Sequence, residues 1–352
     1  MKYFTLLIAF LLIQCTGNND SNEIEAVSFT SIPREIEIVA EPEEDLSMFI
    51  PEPESDLPIT TFGEVWGYVI AGQEAALRRG LPITDVGYFG AEVNMYGTLT
   101  RVPNRQNLSS FNGRVHLVVT CFNYALTYFA LMPGSPQRDA LITDLITATR
   151  NFDGLNLDFE NIPPRAGEAF LSFLRELRER MPDKMLSVAL YARTRAIPND
   201  VYDYARIAPY VDRIFVMAYD LHWGGGPAGP VASLEWGQRV AQHSLRVIGP
   251  EKLVMGIPLY GRAWASQNHH RALIYSSTQR LIQTHNVSEV RRENGIPTFN
   301  YNANISVTVY FEDVYSLSAR MELYKSMNVR AIGFWRVGQE TPRLWNILRV
   351  GQ

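Results

Sequence analysis

Near the middle of the chain, Asp153-Gly154-Leu155-Asn156-Leu157-Asp158-Phe159-Glu160 sets Asn156, Asp158 and Glu160 in alternation with Leu155, Leu157 and Phe159. That period of two describes a strand with two unlike faces. On a strand rising about 3.3 Å per residue, the polar groups stack about 6–7 Å apart. Two acids and an amide in such a row are costly to bury unless chemistry needs them. Glu160, last in the row and nearest the strand's C-terminal mouth, is the natural proton donor. Burial with Asp158 close by should let it keep its proton to higher pH. Asp153 has the opposite parity, which fits structural support through a hydrogen bond as well as it fits chemistry.

Hydrophobic runs and helical patterns flank this segment on both sides, as expected of a central parallel strand covered by helices. Its polar face then points into a barrel or cleft. Strand-like runs occur at 64–70, 85–89, 115–122, 155–160, 186–192, 214–219, 253–260 and 331–335. Helical patterns occupy 136–150, 166–181, 201–210, 234–247 and 313–327. Eight strands alternating with helices predict the α/β class, as a (β/α)8 TIM barrel. The connection after the second strand is poorly helical. Between the last two strands the rhythm breaks for too many residues to be a plain loop. A small α+β insertion between strands 7 and 8, about 265–311, is predicted there, placed to wall a groove.

Taken together, these residues resemble glycoside hydrolase family 18, the chitinase-like barrels. Asp153-x-x-Asn156-x-Asp158-x-Glu160 is similar to that family's fourth-strand Asp-x-x-Asp-x-Asp-x-Glu, with Asn156 replacing the middle acid. Met217-Ala218-Tyr219-Asp220 resembles Met-x-Tyr-Asp at the sixth strand, and Gly256-Ile257-Pro258-Leu259-Tyr260-Gly261-Arg262 resembles Gly-x-Pro-x-Tyr-Gly-Arg at the seventh. Trp335 closes the eighth, where the family floors its sugar site with tryptophan. Asn156, Trp223-Gly224-Gly225-Gly226-Pro227 and Phe311-Glu312-Asp313 are shared with the spore-germination and spore-cortex-lytic branch.

The resemblance implies hydrolysis of β-linked N-acetylglucosamine glycans, either peptidoglycan or chito-oligosaccharides, with retention and without metal or cofactor. Glu160 would serve as acid and then base, Asp158 would orient the substrate's own attacking acetamido group, and Tyr219 would donate to its carbonyl. Asn156 would remove one repelling charge. Asn156, Met217, Asp220, Tyr260, Arg262, Trp335, Tyr68 and Trp223 are the expected substrate-binding set, and Asp153 supports. For Tyr68, Trp223 and Tyr260, packing and sugar contact stay open as alternatives. Arg262 could equally pair with a rim acid, and Trp335 could belong to the core.

The 352 residues are 46% hydrophobic and 20% charged, which allows one large core. A net charge of -5 leaves no footprint for nucleic acid. Cys15 and Cys121 make no disulfide framework; Cys121, in an apolar run, reads as a small hydrophobe. Lys2 and the apolar run 3–13 read as a signal peptide, 1–15, and Leu12-Ile13-Gln14-Cys15 resembles a bacterial lipoprotein box. Cys15 is then lipidated or lies within a cleaved leader. Residues 16–61 read as an acidic, Pro-rich tether, with the barrel spanning 62–352. The expected product is an exported monomer, held in the cell envelope by a lipid anchor.

Other features carry less. Gly224-Gly225-Gly226 lacks the Lys-Ser/Thr of a phosphate loop. His269-His270 lacks spaced ligand partners for a metal, and Arg291-Arg292 reads as a solvated pair. A sugar-binding protein without turnover is the competing function, and an envelope scaffold a third. Glu160 favours the enzyme, because chitinase-like lectins lose that residue.

Overall fold

The computed structural model describes residues 56–266, 269–302 and 306–351. The expected leader with Cys15, and the expected tether as far as residue 55, lie outside the described residues.

Eight strands form the barrel: β1 Glu64–Ile70, β2 Asp85–Val93, β3 Arg114–Cys121, β4 Gly154–Phe159, β5 Met185–Tyr191, β6 Arg213–Met217, β7 Leu253–Pro258 and β8 Ala331–Trp335. Each pairs in parallel with the next, and β8 returns to β1, so the barrel closes. Alternation sorts the side chains. Val65, Leu155, Leu157, Val188, Ile214 and Val216 lie in the cluster shared with the surrounding helices, while Trp66, Tyr68, Val118, Ala189, Phe215 and Val254 form a separate inner one. Two glycines make room for the inner rings. A Cβ on Gly333 would lie 2.2 Å from the Phe215 ring, and one on Gly87 would lie 2.6 Å from the Tyr68 ring. Without those gaps the lumen could not hold both aromatics.

The helical layer contains α1 Tyr124–Leu131, α2 Pro136–Thr149, α3 Gly167–Arg180, α4 Tyr204–Ile207 and α5 Leu234–Ile248. In α3, Phe170, Phe173, Leu174 and Leu177 recur at helical spacing and are buried. α1 was not expected, since Tyr124 to Leu131 is apolar all round and shows no periodic stripe; the Asn123 side chain caps it by accepting from Leu126 N at 2.9 Å. The helix expected at 201–210 is reduced to one α-turn and a 3-10 turn, because Asp203 caps its start and Pro209 interrupts it. The β1–β2 and β2–β3 connections hold only short 3-10 turns, Glu74–Ala76 and Arg105–Leu108, with a two-residue strand at Leu99–Thr100.

The insertion is an antiparallel sheet in the order His269–Leu273, Gly261–Ser266, Ser306–Tyr310, Ile296–Asn302, Arg291–Glu293. α6, Tyr275–Thr284, packs on it through its own small core, which includes Ile282, Phe299 and Val309. The module starts at Gly261 rather than 265, since Gly261 pairs with Leu273 and Arg262 with Tyr310. It is fastened to α7, Val314–Ser326, whose Asp313 cap accepts from Ser316 N at 2.9 Å. Arg292 forms an ion pair with Asp313, so one member of the pair read as solvated also ties the insertion to the helix cap, while both arginines remain exposed.

The N-terminal end of the barrel is closed by paired charges. Asp85, fully buried, accepts from Arg114 Nε at 2.6 Å and Nη2 at 2.8 Å, and lies 2.8 Å from His116 Nε2. Arg213 bonds Glu64 at 2.8 Å, and the His116 ring stacks on Trp66 at 4.3 Å. Burial raises the Asp85 carboxyl, but His116 and Arg114 outweigh it and hold the group below the usual range. Beside this end, Thr60–Phe62 pairs in parallel with Leu348–Val350. Ordered strand thus begins at Thr60, inside the span read as tether, because the C-terminal strand supplies its hydrogen-bond partner.

Candidate active site

The opposite end of the barrel carries the row of polar groups from β4. Asn156 and Asp158 face the lumen, while Leu157 and Phe159 face the helices, where Phe159 meets Phe173. Glu160 follows the last residue of β4 and extends the ladder by one bond, its N–H donating to Cys121 O at 3.1 Å. The chain then turns away. Asn161 adopts φ 58, a conformation asparagine tolerates, and Pro163 and Pro164 bar further strand. Glu160 is therefore fixed at the mouth by its neighbours on both sides.

The row is layered. Asn156 is fully buried, its Oδ1 accepting from Tyr68 Oη at 2.9 Å and its Nδ2 donating to Ser187 Oγ at 2.8 Å. An ionised carboxylate there could not donate to Ser187, so the amide suits this site. Asn156 and the buried Tyr68 form a supporting tier beneath the mouth, and Tyr68 takes the packing alternative. Asp158 stands above them with 7% of its surface exposed, and its buried Oδ1 has no hydrogen-bond partner among the described residues. Such an acceptor is costly in a folded protein and suits an incoming N–H. Burial, and then the charge of Glu160, push the Asp158 carboxyl well above its ordinary value. Glu160 is raised as well: burial is the main cause, a hydrogen bond from Tyr191 opposes it, and Asp220 adds to it. Two raised carboxyls in one site favour a shared proton over two charges.

Tyr219 and Asp220 follow β6. Tyr219 is partly exposed, and its ring meets that of Tyr260 edge-on at 6.4 Å. Burial, with Tyr68 and Tyr260 nearby, raises its hydroxyl far above the ordinary value, so it remains a neutral donor. Asp220 Oδ1 accepts from Tyr260 Oη at 2.6 Å and from Arg262 Nη2 at 2.8 Å. Tyr260 and Arg262 are thereby committed to a rim acid, and Arg262 belongs to the first strand of the insertion rather than to β7. Trp335 is half-buried at the end of β8, packed on Tyr68 at 5.4 Å and Phe89 at 5.1 Å, with Met217 in the same cluster.

Two of the expected residues make no hydrogen bond or ring contact with this group among the described residues. Asp153, at the opposite end of β4, accepts from Val115 N at 2.8 Å and joins strand to strand. Trp223 is 54% exposed and lies over its own loop, where a Cβ on Gly225 would come within 2.2 Å of its ring. A Cβ on Gly224 would strike the His270 ring at 1.9 Å, so the glycine run lets the insertion approach this loop.

Sequence reasoning passed over Ser187 and Tyr191. Tyr191 Oη donates to Glu160 Oε2 at 2.5 Å. The signal was present in β5: Leu186, Val188 and Leu190 alternate with Ser187, Ala189 and Tyr191, which gives a second inward face beside that of β4.

The chain is similar to several known proteins. The model of a family described as "Glycosyl hydrolases family 18" matches residues 102–340. A protein of Bacillus subtilis (strain 168) named "Putative sporulation-specific glycosylase YdhD" is 31% identical over 216 residues, 58% of this chain; the match spans about half, 51%, of that protein. A cortical fragment-lytic enzyme of the same organism is 27% identical over 324 residues, covering 85% of this chain and 75% of the other. Among solved structures, the Bacillus cereus spore cortex-lytic enzyme SleL superposes with a TM-score of 0.75 at 24% identity, over 85% of this chain and 76% of SleL.

Proposed function

The chain belongs to glycosyl hydrolase family 18, and from that premise we propose that it cleaves β-linked N-acetylglucosamine glycans by a retaining, substrate-assisted mechanism. The observation that carries this reading is the buried Oδ1 of Asp158, without a hydrogen-bond partner among the described residues, beside a raised Glu160. In the first step the substrate's acetamido oxygen attacks the anomeric carbon. The glycosidic C–O bond breaks, and the proton of Glu160 passes to the leaving oxygen. Asp158 accepts the acetamido N–H and stabilises the charge that develops there, while Tyr219 donates to the attacking oxygen and aligns it. In the second step a water attacks the same carbon, Glu160 takes its proton, and the cyclic intermediate opens with the original configuration.

Glu160 cannot be replaced in this scheme, which distinguishes the enzyme from a sugar-binding protein that needs only the cleft. Asn156 and Tyr68 bond to each other in the buried tier next to Asp158 on the inner face of the barrel. Export, lipid attachment at Cys15 and a monomeric state belong to the same proposal: an anchored envelope enzyme meets peptidoglycan directly, so peptidoglycan or its fragments is the first substrate and chito-oligosaccharides the second. Mass spectrometry of the products from a defined muropeptide and from a chito-oligosaccharide tests the reading. The expected result is a new reducing N-acetylhexosamine end, formed by the wild type and lost in Glu160→Gln, with proton NMR of the fresh product showing the β-anomer first. Binding of both ligands without cleavage by the wild type would install the lectin reading instead.

A further inference from the structure

The hydrogen bond from β5 to Glu160 goes beyond the scheme above. We propose that Tyr191 is the positioning residue of the acid: by occupying Oε2 it leaves Oε1 as the oxygen that gives and receives the proton. The inference rests on the proposed glycosidase reading and deepens it.

The geometry is specific. Tyr191 Oη donates to Oε2 at 2.5 Å, a short charge-assisted bond when Glu160 is ionised. An oxygen already accepting from a phenol is the weaker site for a proton, so the proton of the acid form goes to Oε1. Tyr191 is itself held from several sides. Its carbonyl accepts from Tyr204 Oη at 2.6 Å, and its ring stands edge-on to Tyr202 at 5.1 Å and 87°. The Arg193 guanidinium lies 5.8 Å from the Tyr191 ring centroid and is held by Asp200 at 2.6 Å. Tyr202 in turn donates to Phe159 O at 3.2 Å and accepts from Ile162 N at 2.9 Å. One buttress from the loop after β5 therefore grips both the tyrosine and the backbone on either side of Glu160, which fixes the angle between donor and carboxyl.

Three groups act on the charge state of Glu160 besides burial: Tyr191 donates to it, while Asp158 on its own strand and Asp220 beyond β6 repel its charge. Tyr202, Arg193 and Asp200 stand behind Tyr191. Of these, Tyr191 is the direct donor, so its loss should raise the proton affinity of Glu160.

The test is Tyr191→Phe in the full chain, which keeps the ring and removes only the donor. Two chito-oligosaccharide substrates are compared, one with a sugar leaving group and one with a nitrophenyl leaving group that departs without a proton. The expected result is a fall in kcat of roughly 10- to 100-fold on the first and about threefold or less on the second, with KM nearly unchanged. The basic limb of the kcat/KM profile, which reports loss of the proton from Glu160, should move to higher pH. On a Glu160→Gln background the substitution should cost nothing further. Equal losses on both substrates, or an unmoved limb, would overturn the proposal. A carbon-13 titration of the Glu160 carboxyl, assigned with Glu160→Gln, gives a readout independent of turnover. A higher midpoint in Tyr191→Phe supports the positioning role, and an unchanged one overturns it. A wild type inert on every N-acetylglucosamine glycan would sink the glycosidase reading, while the titration would still decide the role of Tyr191.

Discussion

The two ends of the barrel bury the same kind of group with opposite outcomes. At the N-terminal end Asp85 is fully buried, yet it meets Arg114 and His116 and is held as an anion. At the C-terminal end Asp158 is nearly as buried and meets another acid, and its Oδ1 is bare among the described residues. Burial pushes both carboxyls up; what differs is the compensation. The difference assigns their roles: a group whose desolvation is offset by fixed partners holds the fold, and a group whose desolvation is not offset awaits a ligand.

Several experiments can break or sharpen that contrast. Glu160→Gln should give the largest effect, lowering turnover about 10²- to 10⁴-fold, with Asp158→Asn close behind; steady-state rates on a chito-oligosaccharide measure both. Asp85→Asn should instead leave the kcat of the folded fraction unchanged and cost roughly 2–4 kcal/mol of stability, because Arg114 and His116 lose their partner; denaturant unfolding reads this. Asp158→Asn should stabilise the fold near neutral pH by about 1 kcal/mol, since it removes an uncompensated acid.

The pH dependence separates the two ends by sign. Both aspartates have an ordinary value of 3.8. The folded value of Asp85 is depressed, so its stabilisation is present above that value and is lost as pH falls through the folded one. The folded value of Asp158 is raised, so its penalty is absent below the ordinary value and grows as pH rises toward the folded one. The melting difference between wild type and Asp85→Asn should therefore be level above about pH 5 and shrink as pH falls below about 4, whereas that for Asp158→Asn should be small below about pH 4 and grow, with the opposite sign, as pH rises. The smallest effect belongs to Arg330→Ala. Its ion pair with Glu251 is exposed on both sides, 63% and 71%, and should contribute less than about 0.5 kcal/mol, which would show that burial rather than pairing alone gives the N-terminal end its strength.

Much of this arrangement could be read from residue types. The eight barrel strands announce themselves through alternation, and β4 through polar groups where apolar ones were due. Continuous apolar stretches were silent: α1 has no polar face to break the pattern, so periodicity could not separate it from its surroundings. The site was legible wherever one segment supplied both polarity and spacing, as for Asn156, Asp158 and Glu160. It was illegible where the decisive fact is a contact between distant segments. Tyr191 looks like any strand tyrosine until β5 lies beside β4, and Trp223, beside a glycine run, gives no hint that its ring folds back over its own loop.

The parallel pairing of Thr60–Phe62 with Leu348–Val350 has a practical consequence. These two segments, close to both limits of the described span, are clasped together at the N-terminal end of the barrel, on the face away from Glu160. An affinity handle or a bead fixed upstream of Thr60 or downstream of Val350 would leave the mouth pointing outward, free to meet an insoluble polymer too large to diffuse to it. Joining those adjacent ends with a short linker and reopening the chain elsewhere should give a circularly permuted enzyme that still cleaves.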